Sequence, residues 1–269
     1  MTREPLHVLG GRGGYDSPLR RGVYLLPNLV TTGGLFAGFY SVISTFAGRY
    51  ELAAVMILIA HAFDGLDGRI ARLTRTGSRF GVEYDSLADL VAFGVAPGIL
   101  VYKWALEPWA TWGWLAASLY VTCGALRLAR FNVQVESVEK RAFVGLPIPA
   151  AADMIVATVL LYYFFGGEGA THKHIILLLL IYSLAALMVS EVPYYSFKDI
   201  HWYSRQPFWL LIAIIVVFKL VIAQPQLALF SAISLYLLSG PVWWLMRRTR
   251  RLRRVNQAAA SVADRSDAG

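Results

Sequence analysis

The sequence predicts an all-α membrane protein, a polytopic bundle of about eight transmembrane helices with both termini on the cytoplasmic side. Three observations indicate this class. Of the 269 residues, 57% are hydrophobic, which is more than a soluble domain of this size can bury. The apolar residues fall in runs of about 20, the length that crosses a bilayer as a helix. Basic residues concentrate on alternate connections between those runs, as the positive-inside rule describes.

The runs divide the chain into four parts. Residues 1–23 form a cytoplasmic or interfacial arm that is polar and Gly-rich and lacks the apolar run of a cleavable signal peptide. Residues 24–200 hold six helices and form one membrane core, and 201–246 add two more helices. Residues 247–269 are a basic and then disordered tail, rich in Ala, Ser and Asp at its end. The eight helices are expected at about 24–46, 50–71, 86–106, 110–131, 148–166, 172–190, 207–223 and 226–246.

The distribution of charge sets the orientation. Twenty of the 25 Lys and Arg residues lie in the N-terminal arm, in or next to the connections after the second, fourth and sixth helices, and in the first part of the tail, up to Arg254. The opposite side holds Arg49, Lys103 and Lys173. Both termini and the connection after the second helix are therefore expected in the cytoplasm, at the inner membrane of the cell. The net charge of +8 suits contact with anionic lipid, and no soluble domain remains to bind nucleic acid.

The single cysteine, Cys123, lies within an apolar run. One cysteine argues against a disulfide scaffold and against a cysteine-based zinc site.

Four aspartates stand at the end of the second helix and the start of the third. Asp64 and Asp67 are three residues apart, and Asp85 and Asp89 are four apart, so each pair shares one helix face. One aspartate at a membrane-helix end can simply face the headgroups, but four carboxylates meeting at one place repel unless cations neutralise them. Oxygen ligands of this kind suit two divalent ions, Mg²⁺ or Mn²⁺.

Small residues and one arginine accompany the carboxylates. Gly68 and Gly81 allow a ligand to approach the backbone, and Ala71 removes bulk one turn beyond Asp67 and Gly68. Arg72 supplies a permanent cation with the forked donor geometry that phosphate recognition uses.

The eight positions, Asp-x₂-Asp-Gly-x₂-Ala-Arg-x₈-Gly-x₃-Asp-x₃-Asp, resemble without departure the signature of the CDP-alcohol phosphotransferase family. Its members are membrane enzymes with six core helices that transfer a phosphoryl-linked group from a CDP-linked donor to an alcohol and release CMP. The resemblance implies that Asp89 deprotonates the acceptor hydroxyl and that the metals are held by Asp64, Asp67, Asp85 and Asp89. It implies a CDP pocket formed by Asn28, Thr31, Gly68, Ala71, Arg72 and Gly81. Homodimers are usual in the family.

Three further stretches are similar to one branch of that family, the membrane-integral phosphatidylserine synthases. They are residues 27–35, residues 127–133 followed by 143–152, and residues 194–198. This resemblance covers roughly residues 24–200 and implies CDP-diacylglycerol as donor, L-serine as acceptor and membrane lipid as the surroundings. It departs at Gly34, where the branch often has Asn.

An enzyme that selects serine needs a cation near the serine carboxylate. The candidates on the cytoplasmic face are Arg127, Arg130 and Lys198, with Asn132 beside them. Arg127 and Arg130 share a helix face, although both could instead snorkel towards the headgroups. Asn132 could be a helix-end cap, and Lys198 an interfacial anchor. No Ser, Cys or His lies at the signature positions, so we expect direct transfer rather than a covalent intermediate.

Two other functions stay open at this point. Another member of the family would use glycerol 3-phosphate or inositol phosphate as acceptor, which requires a denser basic pocket. A cation transporter would use the aspartates as a transport site, but it predicts acidic residues at several depths.

His61 and Asp153 also lie within apolar helices. His61 precedes Asp64 by one turn on the same face, so it could hydrogen-bond that carboxylate or be a buried histidine with another partner. Asp153 could support the site, but the sequence names no partner for it.

Overall fold

The computed structural model describes residues 18–74, 78–136, 145–194 and 223–266. These residues form seven helices: α1 (Pro18–Phe46), α2 (Tyr50–Thr74), α3 (Arg79–Trp109), α4 (Thr111–Glu136), α5 (Ile148–Phe164), α6 (Ile175–Val189) and α7 (Pro225–Ser266). The all-helical class is thereby confirmed. The predicted helix at 207–223 lies outside the described residues, apart from residue 223, so the count of eight stays a prediction.

Three of these helices contain a segment long and apolar enough to cross a bilayer, namely Leu25–Phe46, Arg79–Trp109 and Pro225–Met246. Helices α5 and α6 are equally apolar but only 17 and 15 residues long. Many large apolar side chains point outwards, among them Leu29, Ile176 and Leu235, each at least 70% exposed. An outer surface of this kind suits lipid rather than water.

Three helix ends differ from the expected ones by six residues or more. Helix α1 begins at Pro18 rather than at about 24, and α3 begins at Arg79 rather than at about 86. The hydroxyl of Ser78 explains the second difference, because it accepts a hydrogen bond of 3.0 Å from the backbone N–H of Gly81 and so caps the helix. Helix α7 continues to Ser266, whereas the sequence predicts disorder after Arg254; three consecutive alanines at 258–260 favour helix.

Helices α1 and α2 form an antiparallel pair through a tight turn. Gly48 takes a left-handed conformation (φ +72°), and the N–H of Arg49 bonds the carbonyl of Ser44 at 2.9 Å. This is the usual glycine ending of an α-helix. The turn returns the chain so that the end of α2, which carries Asp67, lies beside the first half of α1.

Helix α3 is irregular after its last aspartate. It is π-helical at Leu90–Val95 and again at Tyr102–Leu106. Pro97 has no N–H to donate to the carbonyl of Phe93, and the buried hydroxyl of Tyr120 on α4 donates to that carbonyl instead, at 2.9 Å. A side chain of α4 thus offers this carbonyl a donor at membrane depth that Pro97 cannot supply.

Close packing positions the start of α3 against α1. A Cβ atom built on Gly38 would lie 2.9 Å from the Cα of Ala92, so only glycine permits this approach. Ala92 follows Asp89 by three residues, and the contact therefore holds the carboxylate-bearing part of α3 close to α1.

Candidate active site

Three carboxylates from α2 and α3 converge at one end of the bundle. One oxygen each of Asp64, Asp67 and Asp85 lies within 4.8 Å of the others. Asp67 is buried, and the other two are half-buried. Carboxylates this close repel one another, and a divalent cation removes the repulsion. The all-oxygen donor set fits Mg²⁺ or Mn²⁺, so the residues present suit the metal that the sequence predicts.

Asp89 lies one helical turn beyond Asp85 on α3, about 6 Å along the axis. It is not part of the group of three carboxylates described above. It does share a small inner cavity with the other three aspartates. That cavity is lined by Thr31, Gly34, Ala60, Asp64, Asp67, Asp85, Ala88, Asp89, Ala92 and Phe93.

Helix α1 contributes a hydroxyl that bonds one of the three carboxylates. Oγ1 of Thr31 lies 2.7 Å from Oδ2 of Asp67 and 3.1 Å from the carbonyl oxygen of Pro27. Both Thr31 and Asp67 are buried. The hydroxyl therefore ties Asp67 of α2 to α1.

An open cleft of about 100 Å³ leads outwards from the carboxylates. It is lined by residues of α1, α2 and the start of α3: Pro27, Asn28, Thr31, Asp67, Gly68, Ala71, Ser78, Gly81, Val82 and Asp85. Five of the six residues expected to bind CDP are among them. Thr31, Asp67 and Asp85 line both the cleft and the inner cavity, so the two spaces adjoin.

The two signature glycines lie in different surroundings. A Cβ atom on Gly68 would meet nothing within 4 Å, so the backbone there faces open space. A Cβ atom on Gly81 would lie 3.1 Å from Oγ of Ser78 and 3.2 Å from Oδ1 of Asn28, which narrows the cleft.

Arg72, the sixth residue expected in the CDP pocket, is exposed and lines neither cavity. It lies about 140° around α2 from Asp67, since five residues separate them. Its assignment to the nucleotide stays a prediction.

Arg127 and Arg130 lie on α4 near the same end of the bundle. Arg127 is only 8% exposed, and its guanidinium lies 5.7 Å from the ring centre of Phe131. Its charge also interacts with Arg130 and with Tyr236 of α7. Within the described residues, Nε of Arg127 is buried without a hydrogen-bond partner. A buried guanidinium with an unused donor is suited to an anionic ligand.

Asn132 joins α4 to α3 beside the carboxylates. Its Nδ2 donates to Oγ of Ser86 at 3.0 Å, and Ser86 directly follows Asp85. Asn132 is therefore tied to the aspartate helix rather than capping a helix end. Lys198, the fourth residue expected to bind the acceptor, lies outside the described residues.

Several polar contacts near the site could not be predicted from the sequence. Ser86 makes the bond to Asn132, and the hydroxyl of Tyr84 lies 2.9 Å from Oγ1 of Thr32 on α1. No periodicity marks these contacts, because the partners are 46 and 52 residues apart. The capping role of Ser78 could have been predicted from the sequence, since serine is common directly before the first residue of a helix.

Residues 24–192 match the CDP-alcohol phosphatidyltransferase family. The chain belongs to this family. The matched residues include α2 and α3 with all four aspartates, and they end before α7.

Relatives within the family are similar over half or more of their own length. A CDP-diacylglycerol–serine O-phosphatidyltransferase from Helicobacter pylori (strain ATCC 700392 / 26695) is 38% identical over 237 residues, covering 88% of this chain and 98% of the relative. One of the same name from Mycobacterium leprae (strain TN) is 34% identical over 234 residues, 82% of this chain and 76% of the relative. An archaetidylserine synthase from Methanothermobacter thermautotrophicus is 40% identical over 131 residues, 47% of this chain and 54% of the relative.

Proposed function

We propose that this phosphatidyltransferase transfers the phosphatidyl group of CDP-diacylglycerol to the hydroxyl of L-serine and releases CMP. The observation that carries the proposal is the group of three carboxylates at the foot of the cleft. The names of relatives that match over 98% and 76% of their length support serine as the acceptor. The reaction gives phosphatidylserine for phospholipid biosynthesis.

The donor's nucleotide would lie in the cleft. Gly68 opens its backbone to the ligand, and Asn28 and Gly81 form the wall on the α1–α3 side. Asp64, Asp67, Asp85 and Asp89 would hold two divalent ions, Mg²⁺ or Mn²⁺, which neutralise charge on the diphosphate and on the departing CMP.

Asp89 is our candidate for the general base. It lies at the inner end of the cavity, away from the cleft and next to the other carboxylates. The serine hydroxyl gives its proton to Asp89 as its oxygen attacks the phosphorus that bears the diacylglycerol, and the bond from that phosphorus to CMP breaks. The chain transfers the group directly, without a covalent enzyme intermediate.

The acceptor would be oriented by Arg127 and Arg130 through its carboxylate, with Asn132 and Lys198 contributing polar contacts. The burial of Arg127 and its unused Nε support this role. A carboxylate pairs with a guanidinium through two parallel hydrogen bonds, which distinguishes serine from neutral alcohols.

The setting completes the proposal. We place the protein in the inner membrane as a homodimer, with the cleft open to the cytoplasm and sideways to lipid. The orientation can be tested with a Cys123→Ala protein carrying one new cysteine at Arg49. This position should react with an impermeant thiol reagent from the outside only.

The decisive experiment is CMP release from CDP-diacylglycerol by purified protein in detergent. Serine, glycerol 3-phosphate and inositol phosphate are offered separately, each with Mn²⁺ or Mg²⁺. We expect release with serine alone, and its loss in Asp89→Asn or with a chelator. Release with a different acceptor would keep the metal site but overturn serine as substrate. No release with any acceptor, from protein of normal thermal stability, would overturn the enzyme assignment.

A further inference from the structure

Asp153 is a carboxylate on α5, a helix that carries none of the signature residues. Its side chain is only 13% exposed, and its neighbours Ala152 and Met154 are buried. Both of its oxygens lie 2.9 Å from Nδ1 of His61 on α2. An acidic group at this depth is costly without a partner, and His61 is that partner.

His61 is held on a second side as well. Its ring lies edge-on to the ring of Phe93, with centres 5.5 Å apart and planes at 70°. Phe93 is fully buried on α3 and lines the inner cavity together with the four aspartates. The imidazole is therefore fixed between α5 and the wall of the cavity, so it cannot turn without breaking one of these contacts.

The position of His61 on α2 connects the His61–Asp153 pair to the metal site. His61 precedes Asp64 by three residues, so both side chains point from neighbouring turns of the same face of α2. The carboxylates of Asp64, Asp67 and Asp85 repel one another before a cation binds, and this repulsion pushes α2 and α3 apart. Helix α5 packs against both α2 and α3, so its hydrogen bond to the turn before Asp64 opposes that displacement.

We propose that His61 and Asp153 form a positioning pair that holds Asp64 in place for divalent metal. The proposal deepens the function proposed above and rests on its metal site. Polar partners behind metal ligands typically contribute 10–100-fold to metal affinity. We therefore expect the metal, rather than the lipid or the amino acid, to be bound less well when the pair is broken.

The test measures Mn²⁺ binding to purified protein without substrate, by the electron paramagnetic resonance signal of free Mn²⁺. His61→Ala and Asp153→Ala should each weaken binding about tenfold, and the double variant should be no weaker than either. Asp153→Asn keeps an oxygen that can accept from the imidazole, so it should restore most of the affinity. Thr158→Ala on the same helix, whose hydroxyl bonds only the carbonyl of Met154 among the described residues, should bind as the wild type does.

One further measurement and one further variant keep the possible outcomes distinct. Thermal unfolding in the presence of chelator separates a loss of metal affinity from a loss of fold. Where an alanine variant does not fold, His61→Leu serves instead, because leucine fills much of the space of the imidazole but cannot bond Asp153. Unchanged Mn²⁺ binding in both single variants, or effects that add in the double variant, would overturn the positioning role. A wild-type protein that binds no Mn²⁺ and releases no CMP would instead overturn the proposed function.

Discussion

The hydroxyl of Thr31 on α1 lies 2.7 Å from Oδ2 of Asp67 on α2, and both side chains are buried. This bond joins a helix without carboxylates to the metal-binding group, 36 residues away in sequence. A buried hydrogen bond to a charged group stabilises by about 1.5–3 kcal/mol.

Removing that hydroxyl should weaken the metal site. We expect Thr31→Val, which keeps the shape, to raise the Mn²⁺ concentration for half-maximal CMP release about tenfold, whereas Thr31→Ser should stay near the wild type. Thr45→Val is the matched control, because Thr45 is a buried threonine of the same helix that bonds only the carbonyl of Ser41 among the described residues. Equal metal requirements in the Thr31 and Thr45 variants would refute the role of the bond.

Gly68 should be required for the donor and not for the fold. A Cβ atom there meets no protein atom within 4 Å, and alanine in a helix is about 0.5–1 kcal/mol more stable than glycine. We expect Gly68→Ala to keep or raise the melting temperature but to lower kcat/KM for CDP-diacylglycerol by tenfold or more. Gly65→Ala, in equally open space three residues earlier, is the comparison. A Gly68 variant with normal kinetics would exclude a close approach of the ligand at this position.

The bond between Asn132 and Ser86 should matter for the acceptor. Asn132 reaches across from α4 to the residue after Asp85, with Nδ2 3.0 Å from Oγ of Ser86. We expect Ser86→Ala and Asn132→Ala to raise KM for serine several-fold, with little change in KM for CDP-diacylglycerol, since the donor lies on the α1 side. The control is Ser118→Ala, also on α4, whose exposed hydroxyl bonds the carbonyl of Leu115. Equal changes in both KM values would indicate a general disturbance of the helix pair.

Arg127 should be needed for serine binding, and lysine should not be able to replace it. Loss of a buried, charge-assisted hydrogen bond costs about 1.5–3 kcal/mol, which corresponds to roughly 10–100-fold in affinity. We expect Arg127→Gln and Arg127→Lys both to raise KM for serine by at least tenfold, because an ammonium cannot reproduce the planar fork. Arg49→Gln, an exposed arginine at the opposite end of α1 and α2, should leave KM unchanged. A normal KM in Arg127→Lys would show that charge alone suffices.

The sequence predicts the arrangement of the carboxylates within each helix well. Spacings of three and four residues place Asp64 with Asp67, and Asp85 with Asp89, on one face whatever the helices pack against. It also predicts five of the residues that line the cleft, because they come from the same two signature segments and from the start of α1. Arg72 shows where this reasoning ends, since its spacing from Asp67 turns it away from both cavities.

The local course of α3 is only partly predictable. Pro97 indicates a missing hydrogen bond at the carbonyl of Phe93, but it predicts neither the two π-helical segments nor the donor that replaces the missing N–H. The partner is Tyr120, which lies on the next helix. A donor 27 residues away cannot be identified from the pattern around the proline.

The sequence by itself determined the membrane class, the faces of α2 and α3 that carry the carboxylates, and the chemistry that such a donor set allows. These properties follow from composition and helical periodicity, which act over a few residues. Only the tertiary structure decided that Thr31 holds Asp67, that Asn132 bonds Ser86, and that Asp153 bonds His61. Those partners are 36, 46 and 92 residues apart, and the packing of helices, which no local pattern encodes, brings them together.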